Sequence, residues 1–244
     1  MDEALELNEY LPFSFAAATE ANYLQFLWDA FQSNYESEKY EFASLAFHLL
    51  YMSYVSFSIW QIRLARPQDF KNALIGFQSE AEIKLLEANS PFRFYDKLQE
   101  YQIFRFLKLI GCTNEHVGEF AKFVKRRNKI AHPSGTVFFN DKLGIDNEIT
   151  QMMHEVANIQ SHMSPVITTI YLKFLDESAD PEECEYGTTH EEVEANFLHE
   201  SYISMEDIRA CKTVNLDQFG DNQNLESIQK LHESVLSFLP EFDD

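Results

Sequence analysis

From Phe42 to Gln61 the chain carries no Asp, Glu, Lys or Arg, and this run limits the fold more than any other feature. A segment of that length must leave water, either in a bilayer or inside a protein core. Its interior holds Ser44, Ser53, Ser56, Ser58 and His48, and it ends at Gln61, which is too polar for a lipid-facing span. A helix buried in a large bundle is therefore expected, and no membrane partner. Seven Gly and seven Pro in 244 residues leave few tight turns, so long helices are favoured over sheets. The 22 Phe supply bulk for helix-on-helix packing.

Periodicity and capping signals divide the chain further. Thr19 is expected to cap a helix to about Asn34, with Tyr23, Phe26, Leu27, Ala30 and Phe31 on its apolar stripe. A long helix should run from about Glu38 to Leu64 and stop before Arg66-Pro67, because the residue preceding Pro avoids helical angles. Ser79 with Glu82 reads as a capping box for a helix through Ala88, and Ser90-Pro91 as the start of another to Ile110, closed by Gly111. Thr113 or Asn114 starts the next, ending near Ala131. A turn follows at Pro133-Ser134-Gly135, then an extended piece over Thr136 to Phe139. Asp146 is expected to cap a helix to about Leu175, kinked at Pro165. Asp180-Pro181-Glu182-Glu183 reads as a boundary. Beyond it, Thr189 with Glu192 and Ser204 with Asp207 form capping boxes, and Asn224 to Leu239 is a last amphipathic helix. The expected organisation is an all-α bundle over residues 1–178 and a short acidic helical appendage over 179–244.

Charge follows that division. The formal net charge is −21, but Asp176 to Asp244 alone holds 19 acidic and 3 basic residues. Binding of nucleic acid over the whole surface is excluded, whereas the nearly balanced remainder can still present a basic site. The acidic segment reads as a solubilising appendage or, more sharply, as a competitor of RNA for such a site. Asp2, Glu3 and Glu6 stand where a secretory signal would carry Lys or Arg, so a cytoplasmic protein is expected. Cys112, Cys184 and Cys211 are far apart and include no C-x-x-C pair, so neither a disulfide framework nor a thiolate zinc site is indicated. Four His-Glu dipeptides, at His154, His190, His199 and His232, never extend to H-E-x-x-H, and no metal or other cofactor is expected. Glycine-rich phosphate loops and the G-x-S-x-G elbow are missing from the sequence as well. His48 reads as a core histidine; His116 and His162 have no convincing partner in sequence.

One stretch is chemically pointed. Phe120, Phe123, Val124, Arg127, Ile130 and Ala131 fall along one helical stripe, and Arg127 is its only polar member. Lys122, Lys125, Arg126 and Lys129 occupy the neighbouring face, which is expected to be solvated. A guanidinium among apolar neighbours must meet a carboxylate, a ligand or a solvent-filled cleft. Pro133 should pull His132 out of the helix, leaving a titratable imidazole near a permanent cation.

Arg127-Asn128-Lys129-Ile130-Ala131-His132 resembles the Arg, polar residue, three of any kind, His motif of the HEPN superfamily. The resemblance covers about Thr19 to Asp176 and implies a HEPN-like up-and-down helical bundle. Many members are metal-independent endoribonucleases of toxin or defence type, with the motif at the end of a bundle helix. The family pattern implies that His132 acts on the ribose 2′-hydroxyl, Arg127 stabilises charge on the phosphate, and Asn128 positions one of them. It also implies a homodimer bringing two motifs together, an RNA substrate gathered by Lys122, Lys125, Arg126 and Lys129, and in some cases an antitoxin protein as partner. The competing expectation, supported by the acidity, is a HEPN-like bundle that does not cleave and binds a partner protein or a nucleotide. An unrelated helical scaffold is a third.

Overall fold

A computed structural model describes residues 2–132, 135, 139–180, 186–220 and 222–240. The protein is all-α, with no strand among the described residues. The helices are α1 (Asp2–Leu5), α2 (Ala18–Glu36), α3 (Tyr40–Ala65), α4 (Pro67–Ala73), α5 (Ser79–Leu86), α6 (Glu100–Ile103), α7 (Asn114–Ala131), α8 (Lys142–Glu177), α9 (Thr189–Glu192), α10 (Met205–Lys212) and α11 (Leu225–Leu236). Short 3-10 turns cover Glu6–Tyr10, Pro91–Asp96, Phe104–Ile110 and Leu216–Phe219, and α9 continues as a π-helical turn over Val193–His199. The turn at Pro133-Ser134, the piece over 136–138, and Pro181, Glu182, Glu183 and Cys184 lie outside the described residues.

Helix α3 is the axis of the core. It packs on α2, α7 and α8, which is why it can carry no charge over its central turns. Among the described residues it is the one helix long and apolar enough to cross a membrane, and 83% of its most apolar stretch is buried inside the protein. Ser53, Ser56 and Ser58 donate to the carbonyls of Leu49, Met52 and Tyr54 one turn back, while Ser56 also meets the Tyr95 hydroxyl at 3.0 Å and Ser44 reaches across to α8.

Several expected boundaries move, each for a local reason. Helix α2 is capped at Ala17, not Thr19, because the Glu20 carboxylate accepts the Ala17 N–H. Its buried stripe is Leu24, Leu27, Phe31 and Tyr35, and Phe26 faces outward. Ser79 lies inside α5, with Gln78 before it and no side-chain cap. The single helix expected over 90–110 is instead two 3-10 turns flanking the short α6. Phe94, Leu98, Ile103, Phe104, Phe106, Leu107 and Ile110 are all buried, more than one α-helical face can present, so the chain breaks to turn them inward. Ser90 does cap the first of these turns, and Gly111 closes the last at φ 92°, a conformation that favours glycine.

Helix α8 starts at Lys142 because Asp141 accepts the Gly144 N–H at 2.7 Å. Asp146, expected as the cap, pairs one turn in with Lys142 and accepts the Tyr35 hydroxyl. The helix continues through Pro165. Thr188, rather than Thr189, caps α9, and the Ser204–Asp207 box at α10 is present as expected.

The acidic C-terminal segment shares the bundle's core. Val193, Phe197, Leu198, Tyr202, Ile208, Cys211, Ile228, Leu231 and Val235 belong to the same apolar cluster as α3 and α8. Asp207 is the polar pin of that contact. It is buried and accepts bonds from Gln61 of α3 at 2.9 Å, Gln160 of α8 at 2.7 Å and the Ser204 N–H at 3.0 Å. Burial raises its pKa, and the Ser204 and glutamine donors only partly offset this.

Removing the Asp207 carboxylate takes an acceptor from the buried Ser204 N–H and from the amides of Gln61, which keeps its bond to the Tyr202 carbonyl, and of the half-buried Gln160. Asp207→Ala should lower stability by about 2–4 kcal/mol, from roughly 1–3 kcal/mol per unsatisfied buried group. Chemical denaturation of the variant checks this, and an unchanged midpoint would show that Asp207 pins nothing.

Candidate functional site

Helix α7 presents the site. Thr113 caps it, its hydroxyl accepting the His116 N–H at 3.3 Å, and Phe120, Phe123 and Val124 bury its inner face. Arg127 continues that stripe with a side chain only 21% exposed. Its Nη2 donates to Oε1 of Glu100, the first residue of α6. The other carboxylate oxygen, Oε2, accepts a bond from Nε2–H of His48 in α3 at 2.9 Å. One carboxylate thus joins three elements. Burial pushes the Glu100 pKa upward, but the His48 and Arg127 contacts outweigh it and leave the pKa below its usual value. Behind the cluster, Tyr51 packs on both His48 and Phe123.

Arg126 corrects the sequence reading. It was expected in water, yet its Nε lies 3.2 Å from Oε2 of Glu148, a buried α8 carboxylate. The approach is an ion pair by distance without the alignment of a hydrogen bond. Ser44 of α3 donates to the same carboxylate at 2.8 Å. Burial raises the Glu148 pKa, and the favourable effects of Ser44, Arg126 and His48 do not cancel it. The physical reason for the correction is that α8 carries an uncompensated buried acid, and the nearer arginine of α7 turns toward it.

The remaining expected residues divide cleanly. Lys122, Lys125 and Lys129 are exposed, Lys122 pairing with Glu119 one turn earlier. Asn128 is half-buried, and its carbonyl accepts the His132 N–H at 3.1 Å. His132 ends α7 with φ −95° and ψ 139°, the extended conformation that Pro133 demands, and it is exposed. Ile130 is half-buried and Ala131 exposed, so the apolar stripe stops at Arg127.

Glu100 also forms part of the wall of a cleft of about 770 Å³ between the start of α2, the middle of α3 and the Asn89–Glu100 segment. Tyr23, Phe92 and Tyr95 supply aromatic walls, and Glu20, Asp96 and Glu100 its acids. The buried Glu20 carboxylate accepts the hydroxyls of Ser90 and Tyr202. Burial first, and the Glu100 charge second, raise the Tyr23 pKa.

Sequence reasoning missed Glu100 and Glu148, which lie outside any motif and reach the arginines only through the fold. It also separated His116 from His162, which the structure brings together beside Cys112. Compared with family models, with curated proteins and with solved structures, the chain matches none.

The lowered Glu100 pKa has a definite pH signature. Its contribution to stability is complete above the unfolded carboxylate pKa of about 4.5 and is lost as pH falls through the lower folded value. Glu100→Gln should therefore melt below the parent protein at pH 7, with the two melting curves converging as pH drops below the usual carboxylate range. A gap that is constant down to acid pH would contradict the charged pairing.

Proposed function

We propose that the chain is a HEPN-like bundle acting as a metal-independent endoribonuclease of toxin or defence type, working as a homodimer. The observation that carries this reading is the contrast at the end of α7: Arg127 is anchored by Glu100, while His132 has left the helix and is exposed. A fixed cation one turn from a solvent-accessible imidazole suits chemistry on a phosphodiester.

In this reading His132 takes the proton of the ribose 2′-hydroxyl, whose oxygen attacks the adjacent phosphorus. The bond to the 5′-oxygen breaks, and that oxygen takes a proton from solvent. The products are a 2′,3′-cyclic phosphate and a 5′-hydroxyl. Glu100 uses one face of the Arg127 guanidinium, and the guanidinium fork retains further N–H groups for the phosphate. Glu100 and His48 are positioning residues for that fork, and Asn128 for the helix end. Lys122, Lys125 and Lys129, exposed on an otherwise acidic chain, gather the RNA backbone.

A second reading has its own support. The Arg127 charge is already balanced by Glu100, and the net charge of −21 opposes RNA approach. These favour a bundle that binds a partner protein or nucleotide without cleaving. An antitoxin-like partner fits either reading.

His132→Ala and Arg127→Ala should each lower RNA cleavage in EDTA by about 100-fold or more, in line with the usual effect of losing a general base or a charge stabiliser. End-group analysis should find the cyclic phosphate only in the parent reaction. Equal cleavage by parent and variants, or none by the parent, would favour the binding reading.

A further inference from the structure

At the other end of α7 a second cluster stands apart from the arginines. Cys112 immediately precedes the helix cap, His116 lies in the first turn, and His162 comes from the middle of α8. One potential ligand atom from each, a sulfur and two ring nitrogens, lie within 4.8 Å of one another. His116 and His162 face each other with ring centroids 5.6 Å apart. Cys112 is buried and both histidines are half-buried.

Two of the three donors have no other employment. Among the described residues, neither the Cys112 sulfur nor the His162 ring makes a hydrogen bond. The third is weakly held: the Thr113 N–H reaches Nδ1 of His116 at 3.4 Å, a long bond that coordination there displaces at little cost. An ideal tetrahedral zinc site places sulfur and nitrogen ligands about 3.3–3.7 Å apart, from the usual metal–ligand lengths. Atoms already within 4.8 Å of one another reach that range by closing movements of no more than about 1.5 Å. One soft thiolate with two imidazoles is a donor set suited to zinc or copper and poorly suited to magnesium or calcium, which seek oxygen.

We propose that Cys112, His116 and His162 bind a zinc-class transition-metal ion that staples the start of α7 to the middle of α8. The thiol proton leaves to solvent as the sulfur coordinates, and a fourth position is left for water or an outside ligand. The ion lies about 16 Å from Arg127 along α7, taking 1.5 Å per residue, so it fixes the helix rather than entering chemistry at its far end. The large core keeps the metal-free chain folded, and chelation lowers stability without unfolding it.

The test is a Co²⁺ titration of the full chain after EDTA treatment and removal of the chelator. The expected result is one equivalent bound, with strong visible bands of tetrahedral cobalt and a near-ultraviolet thiolate charge-transfer band. Cys112→Ser should lose the charge-transfer band, and His162→Ala should weaken binding at least tenfold while keeping its helical circular dichroism. Zn²⁺ should raise the melting temperature of the parent and not of His162→Ala. Octahedral cobalt bands in the parent, or unchanged affinity and spectrum in His162→Ala, would overturn the proposal. Both outcomes are independent of whether the chain cleaves RNA.

Discussion

The Glu100 carboxylate, shared between Arg127 and His48, is the interaction on which the rest of the arrangement depends. Helix α3 is buried along most of its length and brings only His48 as a titratable group other than tyrosine to this part of the core. Helix α7 brings an arginine on its apolar stripe. The arginine is costly there alone: an unpaired buried cation costs several kcal/mol, and losing one partner of a buried pair is commonly worth about 3–5 kcal/mol. Glu100 gives each group one partner with a single side chain, leaving the His48 Nδ1 and the Arg127 Nε buried without a hydrogen bond among the described residues, and it reaches them because the chain breaks at residues 97–100 to begin α6.

A second carboxylate repeats the logic on the other side of α7. Glu148 of α8 takes Ser44 of α3 and Arg126 of α7, so adjacent arginines are drawn to acids on two different elements. This cross-bracing sets the roll of α7 about its axis. With both arginines turned inward, Lys122, Lys125 and Lys129 remain outside, and His132 emerges where the helix ends. Further along α3 and α8, Asp207 plays a comparable part with neutral donors only, and there the carboxylate is held by Gln61 and Gln160.

Much of this was legible in the sequence, and the limits have physical causes. The central helix was visible because a run without charge has few solutions. The end of α7 was visible because a proline constrains the residue before it. The inward turn of Arg127 followed from its place on an apolar stripe, but the same periodicity misassigned Arg126, whose partner Glu148 is set by packing of α8 rather than by spacing in α7. The region 90–110 misled because seven buried apolar residues imitate a helix while exceeding one face. Capping was right where a hydroxyl had no rival, as at Thr113 and Ser204. It failed at Thr19 and Asp146, where Glu20 and Asp141 offered better geometry. The Cys112, His116 and His162 cluster had no local signature, since His162 joins it only through contact of α8 with the start of α7.

The shared carboxylate is tested most directly by a double-mutant cycle on unfolding free energy, with Glu100→Gln, Arg127→Met and the pair together. The account predicts strong coupling, about 1 kcal/mol or more at pH 7, because the two side chains are largely buried and bonded to each other. Additive effects of the two substitutions would contradict it, and would leave the orientation of α7, and with it the placement of His132, without a cause.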